Sequence, residues 1–326
     1  MDEKSSNNNI FKSYLDDFIP AYDEFLTNSS VEICDRQMRS AIAFVDICVV
    51  DIKGCDKENF LSSDVFTHNI LTPIYDWYYE KYGDLTKRKV KETMRSMLLV
   101  HGQPVLLEIP TTITEIEKEG ETLWLTFPRS LNIEETIESM LKIDINSIQF
   151  SEEELESINE EFSQKVGSNR NIFVNLMTSS KFDSKTSNLV KSIDQHLENA
   201  VQSILTNRDP DISSGLWDIH LAVEKALKGY LKQLSGNFPN IHDLRKLREK
   251  IKEFDSDIDL SIIDQLPSGG DAIKYRYGEL ISSSKSAYST YSYALKLIEC
   301  LTSKYKKGIH MNGDASFKLK MAPYAR

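Results

Sequence analysis

Between Leu189 and Tyr305 the apolar residues fall three and four positions apart, a recurrence that restricts this segment to packed helices. Leu189, Ile193, Leu197, Ala200, Val201 and Ile204 form one stripe, which Asn207-Arg208-Asp209-Pro210 ends. Leu216, Ile219, Val223, Ala226, Leu227, Tyr230, Leu231 and Leu234 form a second, closed by Gly236 as a C-terminal cap. Leu244, Leu247 and Ile251 make a shorter third stripe, and Tyr288, Tyr291, Leu295, Ile298 and Tyr305 a fourth. Faces this wide need partners, so the four helices predict a bundle over 188–307.

Helical spacing also governs the first hundred residues. Phe11, Tyr14, Leu15, Phe18 and Ile19 predict a helix that Pro20 bends or ends. A second helix is predicted from Ser30 to Val50. A third starts near Asn59 and passes Phe66, Ile70, Ile74 and Trp77, with a kink at Thr72-Pro73. Thr86 stands where it would cap a basic helix holding Lys87, Arg88, Lys89, Lys91 and Arg95, ending near His101-Gly102. The pattern then changes. Pro104 to Thr114 is rich in Val, Leu, Ile and Thr, Leu123, Leu125 and Phe127 alternate, and Glu119-Gly120-Glu121 supplies the turn of a β-hairpin. Asn132 to Leu141 and Ser151 to Phe162 read as acidic helices, the latter opened by a capping box of Ser151 and Glu154. The expected fold class is mostly α. An α+β domain over 1–175 is followed by a linker over 176–187, the helical bundle over 188–307 and a basic tail over 308–326.

Charge is polarised along the chain. Residues 108–161 carry fifteen acidic residues against Lys118, Arg129 and Lys142, a net of −12, so all other residues together carry +1 of the total −11. A phosphate-binding face away from the acidic segment is therefore compatible with the composition. The opening residues Met1 to Asn9 are acidic and rich in Ser and Asn, unlike a secretory leader, and no apolar run reaches bilayer length. A cytoplasmic protein with no membrane partner is expected. Cys34, Cys48, Cys55 and Cys300 form no C-x-x-C pair, which predicts free thiols. Zinc spacing and H-E-x-x-H are both missing, so neither metal nor cofactor is expected. Asp255, Asp257 and Asp259 alternate, but Leu260 and Leu266 stand where a calcium loop needs Gly and Glu. Ser268-Gly269-Gly270 has neither the spacing nor the lysine of a phosphate loop.

The segment Trp217 to Lys232 carries Glu224, Lys225, Ala226 and Lys228 in Glu-Lys-Ala-x-Lys order. Pro239, then His242-Asp243-Leu244, then Arg276-Tyr277 follow. In this order and at these separations the pieces resemble the HEPN family, over about residues 185–307. The N-terminal region carries no family motif. The resemblance implies a bundle of four to five helices that often dimerises and often handles RNA or nucleotides. Many members are ribonucleases, frequently in toxin or antiviral systems, with an Arg followed after four to six residues by a His. Such an Arg stabilises charge on the scissile phosphate while the His moves the proton. Arg276 matches the Arg. Ile281, Ser282 and Ser283 occupy the His positions, and none transfers a proton near neutral pH.

The leading expectation is a binding protein with a non-catalytic HEPN-like domain that contacts RNA or a nucleotide through Arg276, Tyr275, Tyr277, Lys228 and His242. In Lys274-Tyr275-Arg276-Tyr277, an Arg between two Tyr suits phosphate binding and base stacking. The competing role pins a loop, with Arg276 paired to Glu224 or Asp271. His242 is placed to act as a cap or a ligand contact, and His220 to meet Glu224 one turn on. The tyrosine-rich last helix (Tyr288, Tyr291, Tyr293, Tyr305) leaves aromatic surface to cover, so a homodimer through the C-terminal domain is expected. By resemblance the pathway is bacterial stress or antiphage defence. One alternative is a metal-independent ribonuclease with a departed motif, its catalytic pair Arg95 and His101, an Arg-x5-His. Another is an adaptor whose acidic face binds a basic partner.

Overall fold

Pro20 does not end the first helix. In the computed structural model, which describes residues 3–87, 91–119, 121–179, 182–308 and 313–320, α1 runs through it from Glu3 to Asn28. The buried residues Leu15 and Ile19 before the proline and Leu26 after it hold both halves to the core. α2 (Ile33–Cys48), α3 (Lys57–Leu61), α4 (Asp64–Phe66) and α5 (Thr72–Tyr82) complete this part of the chain. Its core gathers Leu15, Ile19, Phe44, Phe66, Ile70, Ile74 and Tyr78. The kink expected at Thr72-Pro73 takes the form of a single π turn, Thr67–Leu71. The Thr72 backbone N–H and hydroxyl both donate to Thr67 O, where the following proline has no N–H to give. Asp23 is buried, and Arg36 (3.2 Å), Lys81 (2.8 Å) and Tyr82 (2.6 Å) donate to it. Burial alone would raise its pKa. Those donors outweigh burial and hold it below the ordinary value.

The described residues form two compact units, 3–87 and 91–320, so the division does not fall at the expected linker 176–187. In the second unit β1 (Thr93–Val100) pairs antiparallel with β2 (Gln103–Pro110) across the two-residue turn His101-Gly102. Both turn residues have positive φ, 46° and 81°, as the tightest hairpins require. This corrects the basic helix expected there from Thr93 onward, while its Arg88 and Lys89 lie outside the described residues. A short apolar run such as Met97 to Val100 fits either period, and the turn decides for strand. The hairpin predicted around 119–121 is present as β3 (Ile113–Lys118) and β4 (Thr122–Phe127). The run from Pro104 to Thr114, however, divides between two sheets. The expected basic tail adds an edge strand, β5 (Ala315–Lys320), to β4, and Lys318 pairs there with Glu117.

The acidic helix expected over 132–141 shrinks to α6 (Ile137–Met140). α7 (Glu152–Thr178) opens with the reciprocal Ser151–Glu154 capping box and runs far past Phe162. The remaining helices are α8 (Ser184–Leu205), α9 (Asp209–Ser235), α10 (Leu244–Lys252), α11 (Gly269–Arg276) and α12 (Ser284–Ser303). Gly236 ends α9 with a φ of 80°. The bundle core extends beyond these helices to Met97 of β1 and Ile172 of α7, with Leu99, Leu106 and Leu176 packed against it. Polar groups join α7 to α12. Tyr288 donates to Glu161, Lys165 to Ser292, and Ser168 and Asn171 to Glu299, while Asn169 reaches Ser96 beside Tyr291. Burial drives the Lys165 ammonium, 4.6 Å from the Tyr288 ring, down to about 8.

Two glycines set the spacing of α9. A Cβ on Gly215 would stand 2.9 Å from Ile204 Cγ1, and one on Gly229 would stand 2.4 Å from Tyr305 Oη and 3.0 Å from Val190 Cγ2. Tyr305 uses that hydroxyl to donate to Ala226 O at 2.9 Å. Gly229→Ala is therefore expected to destabilise the protein by about 1–3 kcal/mol through overpacking. Alanine's better helix propensity, worth roughly 1 kcal/mol, works against that loss. Denaturant midpoints measure the difference, and an unchanged or raised midpoint would refute the close packing.

Candidate functional site

One line of α9 carries Trp217, His220, Glu224 and Lys228, each a turn from the next. Glu224, buried, accepts from Lys228 Nζ at 2.7 Å and from His242 Nδ1 at 3.1 Å. His220, also buried, donates from Nε2 to His242 O at 3.0 Å. Its Nδ1 has no hydrogen-bond partner among the described residues. Burial holds its pKa below the ordinary value, so the ring is neutral at pH 7. The His220 ring lies parallel to that of Trp217, centroids 5.8 Å apart. The Arg276 guanidinium sits 5.1 Å from the Trp217 ring and 5.6 Å from that of Tyr277.

The expected binding residues divide accordingly. Arg276 and Tyr277 are exposed, Tyr277 at 67%. The side chain of His242 is 68% exposed, and its use of Nδ1 on Glu224 leaves Nε2 outward. It stands just before Asp243, the residue that caps α10 by accepting the N–H groups of Arg245 and Lys246. Tyr275 packs partly buried against the bundle core. Lys228 is only 5% exposed and is spent on Glu224, so it is not brought to the surface with Arg276. Arg276 does not take Glu224 or Asp271 as partner. Glu224 is occupied by Lys228 and His242, and Asp271 accepts from Ser268 and lies 3.9 Å from Lys274. Among the described residues Arg276 makes no ion pair, and aromatic rings hold it instead.

Arg95 and His101 are not assembled into a pair. Arg95 lies on β1 opposite Glu108, and His101 forms the turn, stacked on Phe150 with Nε2 on Gln149 O. Six residues along a strand span about 20 Å, too far to share one phosphate. At the family's histidine positions, Ile281 is exposed and Ser283 caps α12 by accepting the Ser286 N–H.

Two features escaped sequence reasoning. Trp217 serves as the platform for Arg276, and the sequence marked it only as the start of the segment that carries Glu224 and Lys228. His196 donates from Nδ1 to Asp218 at 2.6 Å and accepts at Nε2 from Lys225, which also reaches Ser192. These residues come from α8 and α9, and no local spacing links them.

Residues 194–305 match the family model of the HEPN domain, and the region before them matches none. The C-terminal helices are thus a HEPN domain. Neither the curated proteins nor the solved structures contain a match to the chain. Among the described residues no helix is long and apolar enough to cross a membrane, and no cluster of His, Cys, Asp or Glu is placed to hold a metal ion.

Proposed function

We propose that the HEPN domain is a non-catalytic module that binds RNA or a nucleotide on the face bearing Arg276, Tyr277, Trp217 and His242. One observation carries this reading: an exposed guanidinium without a carboxylate partner among the described residues, held against two aromatic rings. Such a group meets phosphate with charge-assisted hydrogen bonds while the rings offer stacking surface to a base. Ile281, Ser282 and Ser283 supply no proton-transfer group, which favours binding over cleavage. The test is filter retention of single-stranded RNA by full-length protein. Arg276→Ala is expected to weaken retention about tenfold, or about 1.4 kcal/mol, and wild-type binding to fall as salt rises. Equal retention by the variant would move the contact elsewhere. RNA cleavage that vanishes in His101→Ala would make the protein an enzyme.

A homodimer through this domain, a cytoplasmic location and a role in bacterial stress or antiphage defence belong to the same proposal. Family habit supports the dimer and the defence role, and the lack of a bilayer-length apolar run is compatible with the location. Of the four tyrosines from which the sequence argued for a dimer, Tyr288, Tyr291 and Tyr305 are buried within the unit and Tyr293 is exposed.

A further inference from the structure

The unit formed by residues 3–87 holds a cavity of about 420 Å³, within the size range of small-molecule sites. Gln37 and Met38 of α2, Leu71 and Thr72 at the π turn, and Tyr75 and Tyr79 of α5 line it. Gln37 is the informative residue. It is 8% exposed and borders the cavity, yet its amide makes no hydrogen bond to any described residue. Its side chain is mostly buried, but the amide itself is open to solvent at the cavity, where it offers two donors and an acceptor to a ligand. A second observation is the π turn Thr67–Leu71, which ends on the cavity wall, because such turns recur at functional sites. Tyr75 and Tyr79 stand four residues apart on α5 and so share a face.

We infer that this cavity binds a nucleoside, its base edge paired with the Gln37 amide and its rings stacked with Tyr75 or Tyr79. A glutamine amide matches the adjacent donor and acceptor of a base edge, and aromatic side chains stack on any base. Asp76, at the rim, is a carboxylate of the kind that accepts from ribose hydroxyls. Among the described residues the rim does not select an anion. Asp76 offsets Lys87, and Lys87 already pairs with Asp84 at 2.8 Å. The ligand is therefore the neutral nucleoside rather than its phosphate. This inference is independent of the RNA-binding proposal, which concerns other residues.

The experiment titrates full-length protein with adenosine, guanosine, cytidine and uridine by calorimetry. At least one is expected to bind saturably at one site, with its 5′-monophosphate no tighter. Gln37→Leu should weaken that binding at least tenfold. Tyr79→Ala, at an exposed position that leaves the fold intact, should weaken it several-fold and settles the matter if Gln37→Leu does not fold. Absence of saturable binding by all four nucleosides, or affinities unmoved by Tyr79→Ala and by a folded Gln37→Leu, would overturn the assignment. Much tighter binding of a monophosphate than of its nucleoside would overturn it too.

Discussion

Residues 184–308 produced without 91–179 are expected to yield no cooperatively folded protein. The HEPN helices do not close their own core. Met97, Leu99 and Leu106 of the first hairpin and Ile172 and Leu176 of α7 pack into it. Truncation also strips the cover from α12. Tyr288 and Tyr291 are buried there, and Ser292 and Glu299 lose their α7 partners Lys165, Ser168 and Asn171. Each large apolar side chain returned to water costs about 1.5–3 kcal/mol, while a whole domain is stable by only about 5–15 kcal/mol. Losing several such contacts therefore consumes most of the available stability. Circular dichroism and thermal melting of 184–308 against 91–320 make the comparison. A soluble short fragment with a sharp melt would show that the bundle is autonomous and that the hairpin and α7 merely decorate it.

Glu135→Ala is expected to cost about 3–5 kcal/mol, the penalty for leaving a buried charge without its partner. The stranded charge is Arg170, 1% exposed on α7. Its guanidinium donates to both oxygens of Glu135, at 2.5 and 2.7 Å, and to the carbonyls of Ser130 and Pro110. Those carbonyls satisfy hydrogens but do not neutralise the charge. Replacing both residues with apolar ones of similar volume, Glu135→Leu with Arg170→Met, should recover much of the loss, since only the unpaired charge is expensive. The pH dependence has a definite sign. Burial pushes the Glu135 carboxyl up, but Arg170 and the Asn132 N–H outweigh it and hold the folded value below the ordinary one. The pair's contribution is thus complete above the ordinary glutamate pKa and is lost as pH falls through the lower, folded value. Urea melts of wild type should weaken over that acid range, and those of Glu135→Ala should weaken less. Parallel pH profiles would refute the coupling.

The helices of the HEPN domain were readable because their signals are local. Apolar spacing along α8, α9 and α12, the Ser151–Glu154 capping box and the left-handed Gly236 each act within a few residues. The order of Glu224, His242 and Arg276 was enough to identify the domain, and Ile281, Ser282 and Ser283 to show the histidine missing. Near β1 the same reasoning failed. Met97 to Val100 is too short a run to discriminate periods, and the partner that makes it a strand comes after the turn.

What the sequence determined by itself is the period of its helices, where their capped ends fall, and the domain its motifs specify. The tertiary structure alone decided which polar groups are spent and which are left to act. Lys228 and Arg276 both looked ready for phosphate, yet Glu224 draws Lys228 inside while Trp217 holds Arg276 at the surface. Asn169 and Lys165 close a seam with Ser96, Tyr291 and Ser292, and among the described residues Gln37 finds no hydrogen-bond partner beside its cavity. The physical reason is range. Helix periodicity arises between residues three or four apart, whereas hydrogen-bond and charge satisfaction depends on groups brought together from distant parts of the chain.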